Sequence, residues 1–310
     1  MTALDTLNPM SPLAAAIAKL FAAVLVILGL IFALVAVLVV FAIVRYRERP
    51  GAQLPRQILG SDRLEIVWTA IPILLLAVIF VFTVKVMHAA SPSAASRSPD
   101  LLVVGHQWWW EVNYLKSGVV TANELHLPIG QRVLIRLESA DVIHDFWVPR
   151  LGRKLDAIPG HPGYLWLEAD APGVYLGACA EFCGAEHAWM RFEVVAQPPA
   201  QFAAWEQAQL AVPPVPRPAP ALAGRKLFVA RTCVNCHRFA GTSADRHVGP
   251  DLTHLADRRM LAGGAVANTP SSLAQWLKDP NSIKPDSHMP NFQLSDAEVA
   301  ELAAYLESTK

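Results

Sequence analysis

The sequence predicts a multi-domain protein that consists of a two-helix transmembrane hairpin, a small β-sandwich and an all-α C-terminal domain. Three features lead to this prediction: two long apolar segments near the N-terminus, short alternating runs in the middle, and helix-like segments after a proline-rich stretch. The 310 residues suffice for two or three domains. A hydrophobic content of 53% favours a membrane part, and the formal net charge of zero argues against a nucleic-acid partner.

Residues 1–90 are predicted to form the hairpin, with helices at about 14–44 and 64–88. The runs Leu20–Val44 and Ile66–Val84 carry no charge and are long enough to cross a bilayer. A secretory signal would have a basic start and a shorter apolar core, so we expect a retained span. The connector is rich in arginine, so the positive-inside rule places it in the cytoplasm, with both termini and everything after His88 on the outer side. Its arginines are Arg45, Arg47, Arg49, Arg56 and Arg63.

Residues 100–197 have the pattern of a β domain. Short apolar or alternating runs are separated by Gly, Pro and Asp turns, as is typical of a small β-sandwich or barrel. The runs are Leu101–Val104, Val133–Leu137, Tyr164–Glu168, Gly173–Leu176 and Phe192–Val195.

Residues 198–222 are predicted to be a proline-rich linker, with a short helix over Ala200–Leu210 and an extended spacer after it. Such a tether would raise the local concentration of one domain at the other. Residues 223–310 are predicted to be helices separated by loops. The last helix begins at Ser295, with Glu298 three residues later in a capping-box pattern.

The strongest chemical signal is Cys233-Val-Asn-Cys236-His237. Cys-x-x-Cys-His is the attachment motif of c-type haem, in which two thiols form thioethers and the histidine becomes an axial iron ligand. A dithiol redox site would need a βαβ context, and a zinc site would need a second ligand pair. The motif therefore predicts one covalent haem c on this segment.

A c-type haem also takes a second axial ligand. Met289, which precedes Pro290 in a loop before the last helix, is the candidate, with Met260 and His288 as alternatives. The carbonyl of Pro250 is predicted to accept a hydrogen bond from the ring of the proximal histidine and so to fix its orientation.

The second chemical signal is a loop that runs from Cys179 to Met190 and contains a second cysteine and a histidine, with another histidine upstream. Two thiolates can bridge two copper ions, each of which takes one histidine, while a thioether and a backbone carbonyl act as weak ligands. The alternatives are a mononuclear copper site, a zinc site and a disulfide. The predicted ligands are His144, Cys179, Glu181 through its carbonyl, Cys183, His187 and Met190.

At these residues the sequence resembles subunit II of the haem–copper oxidases, over nearly the whole chain. The supporting stretches are Gly105–Trp110, Asp141–Pro149, Lys154–Gly160 and the loop Cys179–Met190. The C-terminal part resembles the cytochrome c domain that is fused to this subunit in some bacterial oxidases. The resemblance implies a cupredoxin-like β-sandwich with the binuclear copper centre CuA, and an all-α class I cytochrome c domain.

The resemblance also implies further roles for single residues. Trp108 would be the tryptophan that receives electrons on the way to copper. The Glu181 side chain would reach a magnesium ion shared with subunit I. Glu65 would stand at the cytoplasmic mouth of a proton channel, although an acid that caps a helix is the simpler interpretation. Trp109 and Trp110 are interpreted as packing residues.

Other ionisable residues are given no role in chemistry. The acids Glu138, Asp145 and Glu186 are expected to be solvated. The remaining histidines are expected at the surface or in turns; they are His88, His106, His126, His161, His247 and His254.

The function implied is that of the electron-transfer subunit of a respiratory cytochrome c oxidase in a bacterial plasma membrane. Electrons would pass from haem to copper and on to subunit I, where oxygen is reduced to water with proton pumping. The implied partners are subunits I and III, membrane lipid and an external donor such as a soluble cytochrome or quinol–cytochrome c reductase. The alternatives are the same module in a nitric oxide reductase and a free-standing membrane electron shuttle.

Overall fold

The computed structural model describes residues 5–48, 50–51, 60–91 and 97–309. These residues form two compact units. One is Ala15–Ala89, and the other joins Met1–Ala14 to Ala90–Lys310.

The first unit contains nearly all of two long apolar helices, α1 (Pro12–Arg45) and α2 (Asp62–Ala90). Both are long and apolar enough to cross a membrane, and their apolar side chains are mostly exposed, as a lipid-facing surface requires. α2 carries Glu65 in its first turn. Of the connector's predicted arginines, Arg49 and Arg56 lie outside the described residues.

The first part of the second unit is a β-sandwich. Its strands are β1 (Leu101–His106), β2 (Trp109–Tyr114), β3 (Val120–Ala122), β4 (Glu124–Pro128), β5 (Val133–Ser139), β6 (His144–Trp147), β7 (Leu155–Ala157), β8 (Gly163–Leu167), β9 (Gly173–Cys179) and β10 (Arg191–Gln197). They form two five-stranded sheets, with the orders β3-β2-β1-β5-β8 and β4-β10-β9-β6-β7.

Alternating side chains fill the space between the sheets. In β1, Leu101, Val103 and Gly105 are buried, while Leu102, Val104 and His106 are only half-buried, which is the period-two pattern of a strand with one inner face. Trp110 of β2 is fully buried, with its ring 5.5 Å from that of Phe146 and 5.6 Å from that of Phe192. This aromatic cluster forms a rigid base for the loop that follows β9.

The segment before α1 is hydrogen-bonded to the sandwich. The N–H of Met10 donates to the carbonyl of Arg150 (2.8 Å), and the N–H of Asp170 donates to the carbonyl of Met10 (2.9 Å). The hydroxyl of Ser11 donates to the carbonyl of Leu151 (2.7 Å). This segment and the sandwich therefore lie on one side of the membrane, as a hairpin topology requires.

The linker is attached at both of its ends. Its helix α3 (Pro199–Leu210) lays Trp205 on the sandwich, where the indole stacks on the ring of His126 at 3.9 Å. The proline-rich residues 211–218 that follow touch the C-terminal domain, because a Cβ built on Gly241 would lie 2.8 Å from the side chain of Val212. The sequence predicted the helix and the extended segment, but not their packing.

The C-terminal domain is built from three helices, α4 (Ala219–Ala230), α5 (Pro270–Lys278) and α6 (Asp296–Glu307), and from the small hairpin β11 (Met260–Leu261) and β12 (Val266–Ala267).

Helices α4 and α6 cross in close contact. A Cβ built on Gly224 of α4 would lie only 1.9 Å from the carbonyl oxygen of Glu301 in α6, so only glycine fits at this crossing. The capping box predicted at Ser295 and Glu298 is confirmed, since each side chain accepts a hydrogen bond from the backbone N–H of the other. The crossing places α4 directly before the predicted haem-binding segment.

Candidate copper and haem sites

Six potential metal donors converge at one end of the sandwich. Strands β6 and β9 are antiparallel neighbours, with Phe146 opposite Cys179, so β6 brings a histidine beside the last residue of β9. The loop after β9 and the single 3₁₀ turn His187–Trp189 bring the others. The donor atoms are His144 Nδ1, Cys179 Sγ, Glu181 O, Cys183 Sγ, His187 Nδ1 and Met190 Sδ.

The first half of the site contains Cys179, His144 and Glu181. Cys179 Sγ lies 3.9 Å from His144 Nδ1 and 3.2 Å from the carbonyl oxygen of Glu181. On the other side of the imidazole, His144 Nε2 is 2.8 Å from a carboxylate oxygen of Asp141. This contact holds the ring with Nδ1 towards the sulfur. Burial favours the neutral ring, but Asp141 and Cys179 outweigh it and raise the pKa of His144.

The second half of the site contains Cys183, His187 and Met190. Cys183 Sγ lies 3.6 Å from His187 Nδ1 and 3.8 Å from the thioether sulfur of the fully buried Met190. The carbonyl of Cys183 accepts hydrogen bonds from Trp108 Nε1 (2.9 Å) and from the side-chain amide of Gln107 (2.8 Å). The second half is therefore fixed by the β1–β2 turn.

The two thiols join the halves. Their sulfurs are 3.8 Å apart, far beyond the ~2.05 Å of a disulfide, so both cysteines are free donors. The thiol of Cys183 lowers the pKa of Cys179 against the effect of burial, and the same pairing raises the pKa of Cys183 well above its ordinary value. Because thiolates are the metal-binding form, metal binding would displace the protons of these thiols.

The donor set fits copper. Two thiolates, two imidazoles and a thioether are soft or intermediate ligands, and zinc in a Cys₂His₂ site would leave the thioether and the carbonyl without a role. Gly105 shapes the space for the ring of His144, since a Cβ there would lie 2.8 Å from it. The side chain of Glu181 is exposed, so its carboxylate is accessible to a further ligand.

A cavity of about 220 Å³ lies in the C-terminal domain, against the β1–β2 turn. Cys233, Cys236, His237 and Met289 all line it, so the structure brings together the four residues predicted to hold haem. Most of the remaining lining is apolar, as a porphyrin requires; it includes Leu252, Leu255, Leu261, Leu273, Trp276, Leu277, Phe292 and Leu306. Met260 and His288, the alternative axial ligands, also line the cavity.

Local contacts orient the proximal histidine. His237 Nδ1 lies 2.7 Å from the carbonyl oxygen of Pro250, which confirms the predicted hydrogen bond and leaves Nε2 as the ring atom free for iron. A Cβ on Gly249 would lie 2.6 Å from the imidazole, so glycine is required beside it. Arg258 lines the same cavity with a buried Nε that has no hydrogen-bond partner among the described residues, and a haem carboxylate would supply one. The cavity therefore fits haem c.

Trp108 contacts both sites. Its indole N–H donates to the carbonyl of Cys183, and its ring lies 4.5 Å from that of His288, next to Met289. It is only 8% exposed, because the haem domain covers it. The sequence assigned Trp108 to electron transfer only by resemblance, and its position between the two sites is a feature of the structure.

Two predictions about charged residues are wrong. Asp145 and Glu186 were expected to be solvated, but each is 1% exposed. Asp145 follows a copper-ligand candidate on β6 and points inward, so burial and the nearby Asp156 raise its pKa well above its ordinary value. Glu186 is enclosed by the haem domain, which sequence periodicity alone does not indicate. Of the histidines expected at the surface or in turns, His126 is instead buried in strand β4, while His254 lies in a turn but is also buried.

Sequence reasoning also missed the residues that connect the two domains. Lys284 is 4% exposed and donates to the carbonyl of Trp108 (2.8 Å), and Arg259 donates to Glu193 on β10 (3.0 Å). Neither residue belongs to a recognisable motif. Only their partners, which lie far away in the sequence, give them significance.

Comparison with known proteins agrees with this architecture. The family model for "Cytochrome C oxidase subunit II, transmembrane domain" matches residues 4–86, the model for its periplasmic domain matches residues 117–197, and the cytochrome c model matches residues 221–310.

The relatives named cytochrome c oxidase subunit 2 include one from Alkalihalophilus pseudofirmus, 35% identical over 99% of this chain and 91% of its own length. Another, from Bacillus subtilis, is 33% identical over 87% of this chain and 82% of its own length. A Bacillus cereus protein named quinol oxidase subunit 2 is 32% identical over 65% of this chain and 72% of its own length. The crystal structure of the periplasmic domain of subunit II from Bradyrhizobium japonicum is 28% identical and covers 36% of this chain and 95% of that one, with a TM-score of 0.35.

Fold and sites together define a membrane protein in which a cupredoxin-like metal domain is fused to a class I cytochrome c domain. The chain belongs to the cytochrome c oxidase subunit II family, in the form with the fused cytochrome c domain. Membership implies copper, haem and association with subunit I of a haem–copper oxidase.

Proposed function

We propose that this chain passes electrons from a c-type haem to a binuclear copper centre and on to subunit I, which reduces oxygen to water and pumps protons. The observation that carries the proposal is the position of Trp108. Its indole N–H is hydrogen-bonded to the carbonyl of Cys183, a copper-ligand candidate, and its ring packs against that of His288, next to Met289. When bound, haem c and the copper pair each accept and release one electron.

The protein's contribution is to hold both groups rigidly. Cys233 and Cys236 would form the thioethers, with His237 and Met289 as axial ligands. The copper ligands are fixed by Asp141, by the buried aromatic core behind β6 and by the hydrogen bonds that the carbonyl of Cys183 accepts. Fixed ligands keep the geometry similar in both oxidation states, which reduces the rearrangement needed for each transfer.

The exposed face beside the copper loop suits docking on another subunit. Phe182 is 77% exposed, and Val142 and Ile143, which precede His144, are also exposed. We assign this apolar face to subunit I, with the carboxylate of Glu181 available for a shared magnesium ion. Glu65, in the first turn of α2, is assigned to proton delivery into that subunit. Subunit III, an external donor and the bacterial plasma membrane complete the setting.

The test is the copper and iron content per chain of the detergent-purified protein, with an EPR spectrum of the oxidised state. We expect two coppers that share one unpaired electron and one covalently bound haem iron. One copper, zinc or no metal in the loop Cys179–Met190 would overturn the proposal.

Two alternative functions can be distinguished by the subunit that copurifies with this chain. The same module in a nitric oxide reductase would copurify with a subunit that reduces nitric oxide instead of oxygen, and a free-standing shuttle would copurify with no large multi-span subunit. Within the described residues all six predicted copper donors lie close together, which favours cytochrome c oxidase over a quinol oxidase without copper.

A further inference from the structure

We propose that Lys284 is a positioning residue that holds the loop carrying Met289 (here called the haem-binding loop) on the β-sandwich that forms the copper domain. Electrons would then cross a fixed contact at Trp108. The inference rests on the proposed function for its consequence, but the lock itself is a separate structural claim. It is carried by the interactions of one buried cation.

The first interaction joins the domains through the tryptophan. Lys284 Nζ donates to the backbone carbonyl of Trp108 at 2.8 Å, and the lysine is only 4% exposed. A buried hydrogen bond from a charged donor is among the stronger single interactions in proteins, because solvent does not compete for it. It fixes the backbone of the residue whose side chain reaches Cys183 on one side and His288 on the other.

The second interaction is with Glu186, whose carboxylate lies 3.7 Å from Lys284 Nζ and is 1% exposed. Glu186 has no hydrogen-bond partner for its Oε2 among the described residues, so the lysine is the charge that compensates it. Removal of one member of a buried pair leaves the other uncompensated, which is costly. The pair therefore couples the haem domain to the turn that carries His187.

The third interaction is within the haem-binding loop itself. The N–H of Lys284 donates to the carbonyl of Pro280 (2.9 Å), its carbonyl accepts from the N–H of Ser287 (3.2 Å), and the hydroxyl of Ser287 accepts from the N–H of Met289 (3.3 Å). The backbone on either side of the lysine is thus tied to the loop that bears the axial-ligand candidate.

Gly263 packs closely against the contact between Lys284 and Trp108. A Cβ on Gly263 would lie 3.0 Å from Lys284 Nζ and 3.1 Å from the carbonyl oxygen of Trp108, and the residue has a positive φ of 68°. Next to it the N–H of Arg191 donates across the interface to the carbonyl of Gly263 (2.8 Å). That backbone hydrogen bond reports on docking independently of electron transfer.

The experiment uses the complete enzyme with four variants. Lys284→Met removes the cation, and Lys284→Met combined with Glu186→Gln also removes the uncompensated acid. Gly263→Ala wedges the same interface without a change of charge. Lys278→Met is the control, since the side chain of that lysine bonds to Leu294 and Asp296 within its own domain.

Two quantities are measured. Hydrogen–deuterium exchange at the amide of Arg191 follows docking, and the rate of electron transfer from photoreduced haem to copper follows the haem and copper absorption bands. We expect exchange about tenfold faster and transfer about tenfold slower in the double variant and in Gly263→Ala, with metal content and the copper EPR spectrum unchanged. Lys278→Met should match the wild type.

Unchanged exchange at Arg191 in both the double variant and Gly263→Ala would overturn the lock. Faster exchange with an unchanged transfer rate would overturn the positioning role. A wild-type enzyme whose haem never reduces its copper would instead refute the proposed function, while the exchange measurement would still decide whether Lys284 holds the domains together.

Discussion

Replacement of Asp141 by asparagine should weaken copper binding without unfolding the sandwich. The carboxylate holds His144 Nε2 at 2.8 Å and also accepts from the backbone N–H groups of Gln107 (2.7 Å) and Val142 (2.6 Å). Asparagine has nearly the same shape but carries no charge. It can also present its amide group to the imidazole, and the ring would then be held less firmly with Nδ1 towards Cys179.

The size of the effect follows from the role of the carboxylate. Removal of a carboxylate that orients a metal-bound histidine costs about 10–100-fold in metal affinity, or about 1.4–2.8 kcal/mol. The assay is competition for copper between the purified protein and a chelator of known affinity, read by the EPR signal of the copper pair. Asp170→Asn is the control, because Asp170 is exposed and lies in the same domain. An Asp141→Asn protein that binds copper as tightly as the wild type would show that the scaffold alone fixes His144.

Three further predictions concern the haem domain and the membrane helices. Gly224→Ala should destabilise the haem domain by about 3 kcal/mol or more, because the new methyl would meet the carbonyl oxygen of Glu301 at 1.9 Å. Thermal unfolding measures this loss of stability. Gly29→Ala is the control, because Gly29 has open space around it. Hydrogen bonds from the backbone N–H of Ser295 and, next in size, from Arg231 hold the pKa of Glu298 at about 2. The stabilisation given by the ionised Glu298 is therefore present above about pH 4.5 and is lost as the pH falls towards 2. The difference in Tm between the wild type and Glu298→Gln should shrink over that pH range. Glu65→Gln should slow proton uptake in reconstituted vesicles, and unchanged uptake would leave Glu65 as a helix-capping acid.

The sequence was most informative where chemistry is local. Cys233, Cys236 and His237 are close neighbours in the chain, and the copper loop carries five of its six donors within twelve residues, so both sites were predictable before the fold was known. The transmembrane helices were predictable because a bilayer demands long uncharged runs. Strands β2, β3, β4, β6 and β7 were missed; in β3 and β7, three residues leave too little alternation to detect.

What escaped prediction is mainly long-range. Glu186 lies in a polar loop and looks solvated until the haem domain covers it, and Lys284 looks like any lysine in a turn. Arg258 is ordinary in sequence but lies half-buried against the haem cavity, with its Nε atom buried. The environment of each of these residues is set by neighbours that are far away in the sequence, and sequence periodicity carries no information about such neighbours.

The contacts between the two domains bear on how the fused cytochrome domain would deliver electrons. A flexible proline-rich tether would act by raising the local concentration of the donor, and every transfer would still require a diffusional encounter. Here the linker is attached at both ends, through Trp205 on the sandwich and Val212 on the haem domain. The contact between the two domains includes a hydrogen bond from the buried Lys284 to the carbonyl of Trp108 and an ion pair between Arg259 and Glu193. Under the proposed function, fusion of this kind would provide a fixed route instead of a high local concentration, and the geometry around Trp108, more than the length of the linker, would then set the rate of transfer.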